Sequence, residues 1–397
     1  MMLVLGGQAC FAYCLEDQIM NRLRWLAALM GSVATLLTWE AAAWPADNPR
    51  EGFVVHEWGT FSTFSGSNGA FLKFYPNDRD LPAFVYNRHR DVKGGLPDVY
   101  VSLETPVMYF YSDRERTASV HVGFPKGRMT DWYPQASRPP VQGLVWDDLK
   151  ILPRGLSSSQ GETGQGRYFV ARETDSSAVI ASDKGKKQYE KFLFYRGVGD
   201  FAMPFTVTAQ GDGAFKVKNS GSDAIAGLFL VRVEGRKVFF KVQDRLAAGA
   251  EVSMRESTVK STAEKLGDAV AGMLVKQGLY EKEARAMVKT WSTDWFGEDG
   301  TRVLYFVPES LTREFLPLSI EPKPDRLVRV LVGRHDILTP ERELQVDALV
   351  RQLHSPSNAE SQAADETLNK MGRYRWAAQT AADARLKSRG EPQRRGQ

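Results

Sequence analysis

FTVTAQ (205–210), AFKVKNS (214–220), AIAGLFLVRV (224–233) and KVFFKVQ (237–243) follow one another with only turn residues between them. Branched and aromatic residues alternating with polar ones suit a pleated, half-buried strand. Asn219-Ser220-Gly221-Ser222 and Glu234-Gly235-Arg236 supply turns, and DRLAAGAEVSM (244–254) closes the run. Turn signals roughly every 8–12 residues predict a β-sandwich.

The same period extends upstream. Ala118, Val120, Val122 and Phe124 alternate with Ser119, His121 and Gly123, and Val99, Val101 and Leu103 with Tyr100, Ser102 and Glu104. GFVVHEWGTFSTF (52–64) is a further strand that ends at the turn Ser65–Gly69, and KFLFYRGVG (191–199) is a more fully apolar one. Residues 154–166 are rich in Gly and Ser and read as a mobile loop. Residues 44–255 are therefore expected to form a β-rich body.

After Met254 the period becomes helical. Leu266, Val270, Met273 and Leu274 share a face of a helix predicted over 257–277 and stopped by Gly278. A second helix is expected over 280–292, with Glu281 and Arg285 as a favourable pair one turn apart. TRVLYFVP (301–308) and RLVRVLVGR (326–334) read as strands around a short helical ESLTREF, and PLSIEPKPDR (317–326) as extended. Thr339-Pro340-Glu341 starts a helix to His354, with Thr as cap and Pro in the first turn. A last helical stretch spans 360–386 before a basic tail. The expected fold class is mostly β with an α+β C-terminal part: a β-sandwich-like body with packed helices. The expected division is a leader at 1–43, the body at 44–255, a helical pair and α+β segment at 256–340, and C-terminal helices with the tail at 341–397.

The leader is read from Asn21-Arg22-Leu23-Arg24, then the uncharged WLAALMGSVATLLTW (25–39), then Ala41-Ala42-Ala43. That is a basic, apolar and small-residue series of the signal-peptide kind. The apolar run, about 15 residues, is shorter than the roughly 20 that span a bilayer. Export to the periplasm or the extracellular space is expected, with initiation at Met20 and no membrane span in the mature chain. Both cysteines, Cys10 and Cys14, precede the expected cut. The mature chain would then have no disulfide and no thiolate site.

The 397 residues are 43% hydrophobic and 25% charged, which suffices for an ordinary core. The net charge of +4 includes no dense basic stripe inside the body, so nucleic acid is excluded as a first partner.

Several strings carry a resemblance: VHEWGTF (55–61), LETPVMYFYSD (103–113), FPKGRMTDWYPQA (124–136), EKFLFYRGVG (190–199), GLYEKEARAMVKTW (278–291), WSTDWFGEDGTRVLYFVP (291–308) and PLSIEP (317–322). Together, over about 52–343, they resemble a family of exported bacterial proteins. The resemblance implies export and brings no activity, cofactor or catalytic residue. Residues 205–254 also resemble the second half of bacterial immunoglobulin-like modules, through Asn219-Ser220-Gly221 and the spacing of Leu246, Gly249 and Val252. Such modules are adhesive or structural scaffolds.

Chemistry-bearing residues are sparse. His56-Glu57 lacks the second histidine one turn on, because Thr60 stands there, so a helical zinc-protease motif fails. His56 and His121 remain candidate metal ligands on strands, with carboxylates as co-ligands. Glu57, Glu104 and Asp131 are candidate catalytic carboxylates, since glycoside hydrolysis needs a pair. Trp58, Trp132 and Tyr133 beside them are candidate sugar-stacking rings; core packing is the competing role. No G-x-S-x-G elbow occurs, and GETGQGR (161–167) lacks the G-K-[ST] of a phosphate loop. The sequence assigns no cofactor. It favours a non-catalytic extracytoplasmic binding or structural protein with a polysaccharide or cell-envelope partner. The rival is an exported metal-dependent or carboxylate-based hydrolase, which requires the candidate residues to converge in a cleft.

Overall fold

The computed structural model describes residues 52–76, 80–88, 99–138, 143–156 and 161–390. The expected leader at 1–43, with Cys10 and Cys14, lies outside the described residues, as does 157–160 of the expected loop. The chain runs through β1 (Phe53–Ser65), β2 (Tyr86–Asn87), β3 (Val101–Ser112), β4 (Arg116–Gly123), β5 (Gly127–Tyr133) and β6 (Gly143–Ile151). A short helix α1 (Arg167–Val170) leads to β7 (Val179–Asp183), β8 (Lys186–Glu190), β9 (Leu193–Gly199), β10 (Phe205–Gly211), β11 (Ala214–Asn219), β12 (Ile225–Glu234), β13 (Lys237–Leu246) and β14 (Glu251–Arg255). Then follow α2 (Ala263–Lys276), α3 (Glu281–Ser292), a π-turn (Thr293–Gly297), β15 (Gly300–Phe306), α4 (Glu309–Phe315), β16 (Leu318–Glu321) and β17 (Arg326–Ile337). The chain closes with α5 (Pro340–Leu353), α6 (Asn358–Asn369) and α7 (Arg375–Ser388).

Every residue of β1 is buried. A strand covered on both faces belongs in the middle of a layered sheet. It lies in a nine-stranded sheet of order β13-β12-β15-β17-β1-β3-β9-β5-β2. The pairing of β1 with β17 is parallel, from Val54 opposite Arg326 to Ser65 opposite Ile337. The other neighbours in this sheet are antiparallel.

One face of the sheet, with Val55 and Phe61, packs on a five-stranded sheet (β16-β4-β6-β7-β8) and a three-stranded sheet (β10-β11-β14). The other face, with Val54 and Trp58, packs on α2, α3 and the π-turn through Leu266, Val270, Met287, Trp291 and Trp295. The C-terminal helices gather a third core around Phe64, Phe74, Leu338 and Tyr374. The mostly β class with sandwiched sheets and C-terminal helices is thus the observed one. No helix among the described residues is long and apolar enough to cross a membrane.

Two expectations are corrected. Residues 205–254 do not fold as an immunoglobulin-like module, because β10, β11 and β14 form the small sheet while β12 and β13 join the large one. The cause is visible in the side chains. Phe205 and Val207, or Phe215 and Val217, line one face only, whereas β12 buries Leu228 and Leu230 on one face and Phe229, Val231 and Val233 on the other. A strand apolar on both faces must be covered on both. Nor does a boundary fall at 255: β15 and β17 sit between β12 and β1, and the described residues belong to one compact unit. The last helical stretch also divides, with Gly372 at φ +54° between α6 and α7.

A buried charge ties the C-terminal helices to the sheet. Asp336 of β17 accepts from Arg302 Nε (2.9 Å) on β15, from Arg334 Nε (2.6 Å), and from the Tyr374 hydroxyl (2.8 Å) before α7. Burial would raise its pKa, but the Arg334 and Arg302 guanidinium groups outweigh that and hold it well below the usual carboxylate range. Removing one partner of a buried pair costs about 3–5 kcal/mol. Asp336→Ala should therefore lower the unfolding free energy by about that much in urea titration. A loss under about 1 kcal/mol, the size of an exposed pair, would contradict the role given to Asp336.

His335, fully buried, sits between Thr63 Oγ1 (2.8 Å from Nδ1) and Ser65 Oγ (2.9 Å from Nε2). Burial, only partly opposed by Asp336, lowers its pKa from 6.5 to about 4. The unfolded histidine takes up a proton below about pH 6.5 and the native one does not, so stability falls from pH 6.5 to 4 and levels off below. The contribution is about 3 kcal/mol across that window. Wild type minus His335→Gln should show this slope in melts at stepped pH; identical slopes would contradict it.

Candidate functional site

The residues singled out from sequence do not assemble a reaction centre. His56 and Glu57 project from opposite faces of β1, as neighbours on a strand must. His56 is fully buried toward the helices, with Nδ1 2.7 Å from Glu283 Oε2. Glu283 also accepts from the Tyr111 hydroxyl (2.7 Å) and, at the start of α3, from the Tyr280 main-chain N–H (2.8 Å). Burial and the Glu283 charge push the Tyr111 hydroxyl far above its ordinary pKa. Glu57, on the other face, accepts from the Tyr195 hydroxyl and Arg329 Nε. Glu104 is ion-paired with Arg373, and Asp131 accepts from Asn87 Nδ2 and Thr130 Oγ1, both at 2.7 Å. His121 is exposed on β4, in a different sheet from His56.

Glu57, Glu104 and Asp131 are thus buried carboxylates already engaged with donors, and no group of three His, Cys, Asp or Glu among the described residues could hold a metal. The hydrolase reading, which required convergence, loses its basis. The sugar-stacking reading loses its platform too. Trp58, Trp132 and Tyr133 are 0%, 8% and 4% exposed. Trp58 packs on Tyr109, Trp132 on Tyr86, and Tyr133 on Phe84. Burial first, then the Glu190 charge, raises the Tyr133 pKa to about 12.

An opening lies instead beside β17. This strand has twelve residues and β15 has seven. Their pairing runs from Thr301–Ile337 to Phe306–Val332. One more bond, from Val307 N–H to the Leu331 carbonyl (2.9 Å), ends it, and Pro308 turns the chain into α4. β17 continues through Arg326–Val330 with β1 on one flank and no strand among the described residues on the other. Main-chain groups alternate sides along a strand. Because Leu331 faces β15, Leu327 and Arg329 turn their N–H and C=O the same way, into the gap.

The gap is a cleft of about 530 Å³ lined by Ala224, Ala226 and Arg245 beyond, Gln277 at the end of α2, Arg313 of α4, and the β17 edge. Leu327 is 42% exposed there. Arg329 is 8% exposed: Nε donates to Glu57 and Nη1 to the Leu316 carbonyl (2.7 Å), while Nη2 has no partner. No residue of this notch was singled out from sequence.

Hydrogen–deuterium exchange resolved to single amides should show Leu327 and Arg329 exchanging faster than Val328 and Val330, whose groups face β1. Equal protection at all four positions would mean that the flank is closed.

No protein-family model matches the chain, and no curated protein matches it. Among solved structures it is similar to the yeast delta-COP-I mu-homology domain (TM-score 0.26, 9% identity, 73% of this chain and 98% of that chain). It is likewise similar to that domain complexed with Dsl1 WxWxV peptide (TM-score 0.27, 9% identity, 73% and 98%). Likeness at this level determines neither a fold nor a function.

Proposed function

We propose that the protein is an exported, non-catalytic binding protein that takes an extended segment of a protein partner as an added strand beside β17. The open flank of Arg326–Val330 carries this reading. Leu327 and Arg329 together offer two N–H and two C=O groups in strand geometry. Strand addition draws affinity from such main-chain bonds and specificity from the alternate side chains. Each bond is worth about 0.5–1.5 kcal/mol net. Export is supported by the basic, apolar and small-residue series at 21–43. A cell-envelope protein fits the buried aromatic rings better than a polysaccharide does.

The test is selection of phage-displayed linear decapeptides on the protein, repeated on Leu327→Pro. Proline removes the N–H that faces the gap and leaves the bonds to β1 in place. Selected peptides should bind Leu327→Pro at least tenfold more weakly while its melting temperature stays near wild type. Peptides that keep their affinity for Leu327→Pro, or a selection that returns none, would overturn the reading.

A further inference from the structure

We infer that the notch selects a segment bearing a carboxylate, received by Arg329 Nη2 with Arg245 at the rim; this rests on the strand-addition reading above. Arg329 lines the notch and is more than nine-tenths buried, with Nη2 unpartnered and itself closed to solvent, so an acceptor meets it once the guanidinium turns toward the notch. A guanidinium only donates, so what completes it must be an acceptor. Protein acceptors fill its other positions, Glu57 at Nε and the Leu316 carbonyl at Nη1.

The acids that line the cleft are already engaged. Glu309 pairs with Arg313 one turn on (3.2 Å), and Asp223 accepts from the hydroxyls of Ser222 and Ser310. Arg245 lines the opposite wall, is exposed, and has no ion-pair partner among the described residues. The unpaired charged side chains are therefore cationic on both walls, and an incoming carboxylate side chain is their complement. The chain's own basic tail, RLKSRGEPQRRGQ (385–397), carries the wrong charge to fill the notch.

Side-chain alternation sets the pattern. Leu327, Arg329 and Leu331 share the face toward α4, and Val328 and Val330 the face toward α2. The acceptor must therefore stand on the α4 face of the added segment, at the position opposite Arg329, with apolar neighbours on the α2 face.

The decapeptides selected above, with synthetic twins, provide the test. Peptides that lose affinity for Leu327→Pro should share an Asp or Glu at one position. Its Gln or Asn twin should bind about tenfold more weakly, since a hydrogen bond to a charged group is worth roughly 1.5–3 kcal/mol. Arg245→Gln, an exposed change that leaves the Glu57–Arg329 pair intact, should weaken the acidic peptide several-fold and its twin little. Twins that bind equally, while both are lost on Leu327→Pro, overturn the carboxylate and leave strand addition standing. Affinities indifferent to Leu327→Pro overturn strand addition itself. Concentration-dependent dimers in sedimentation that Leu327→Pro abolishes would assign the notch to a second copy and overturn the acidic segment.

Discussion

The parallel pairing of β1 with β17 is the constraint on which the rest of the molecule depends. It joins residues 53–65 to residues 326–337 along twelve matched positions. Parallel strands cannot be joined by a hairpin, so everything between them is a crossover. Here that crossover contains the two smaller sheets, the helical layer and most of the large sheet itself. Because β17 must stay extended along the whole of β1, it outruns β15, whose chain turns away at Pro308. The notch is the geometrical remainder of a twelve-residue strand beside a seven-residue one.

Charged side chains inside this pair act on register. Glu57 stands opposite Arg329 and is bonded to it. A slip of one residue would turn Arg329 to the helical face and leave Glu57 buried without its counter-charge. Asp336, at the other end of β17, acts on the neighbouring pair, since it is bonded to Arg302 opposite it on β15. His56 with Glu283 fixes α3 against the opposite face of β1. Buried pairs of this kind contribute little net stability over an apolar pair of the same shape, but each alternative arrangement strands a charge. That accounts for acids in the core as determinants of register.

Much of the fold was legible because its signals are local. Alternation at 118–124 gave β4, and Thr339-Pro340 gave the start of α5, where Thr339 Oγ1 accepts from Arg342 N–H. Thr262 caps α2, which therefore begins at Ala263 and not at residue 257, where periodicity alone would start it. Strand period alone does not decide which sheet the strands of 205–254 join; whether one face or two are apolar does, and AIAGLFLVRV is apolar on both. Glu57, Trp58 and Asp131 looked functional because polar and aromatic residues adjoin, yet adjacency along a strand places them on opposite faces. The notch could not be read, since it exists only once 326–337 is set beside 53–65. Its one trace in the sequence is Pro308, which ends TRVLYFVP while RLVRVLVGRHDI runs on.

The remaining edges of the sheets differ from this opening in how they are protected. A free strand edge is a template for association, and proteins blunt it with lysine. The outer strand β13 exposes Lys237 and Lys241, and β8 exposes Lys186 and Lys187. The flank of β17 has no lysine and exposes Leu327. It is protected by position: it lies inside the sheet, between β1 and the 223–226 turn into β12. Lysine is therefore unnecessary there, and the apolar surface of Leu327 can remain.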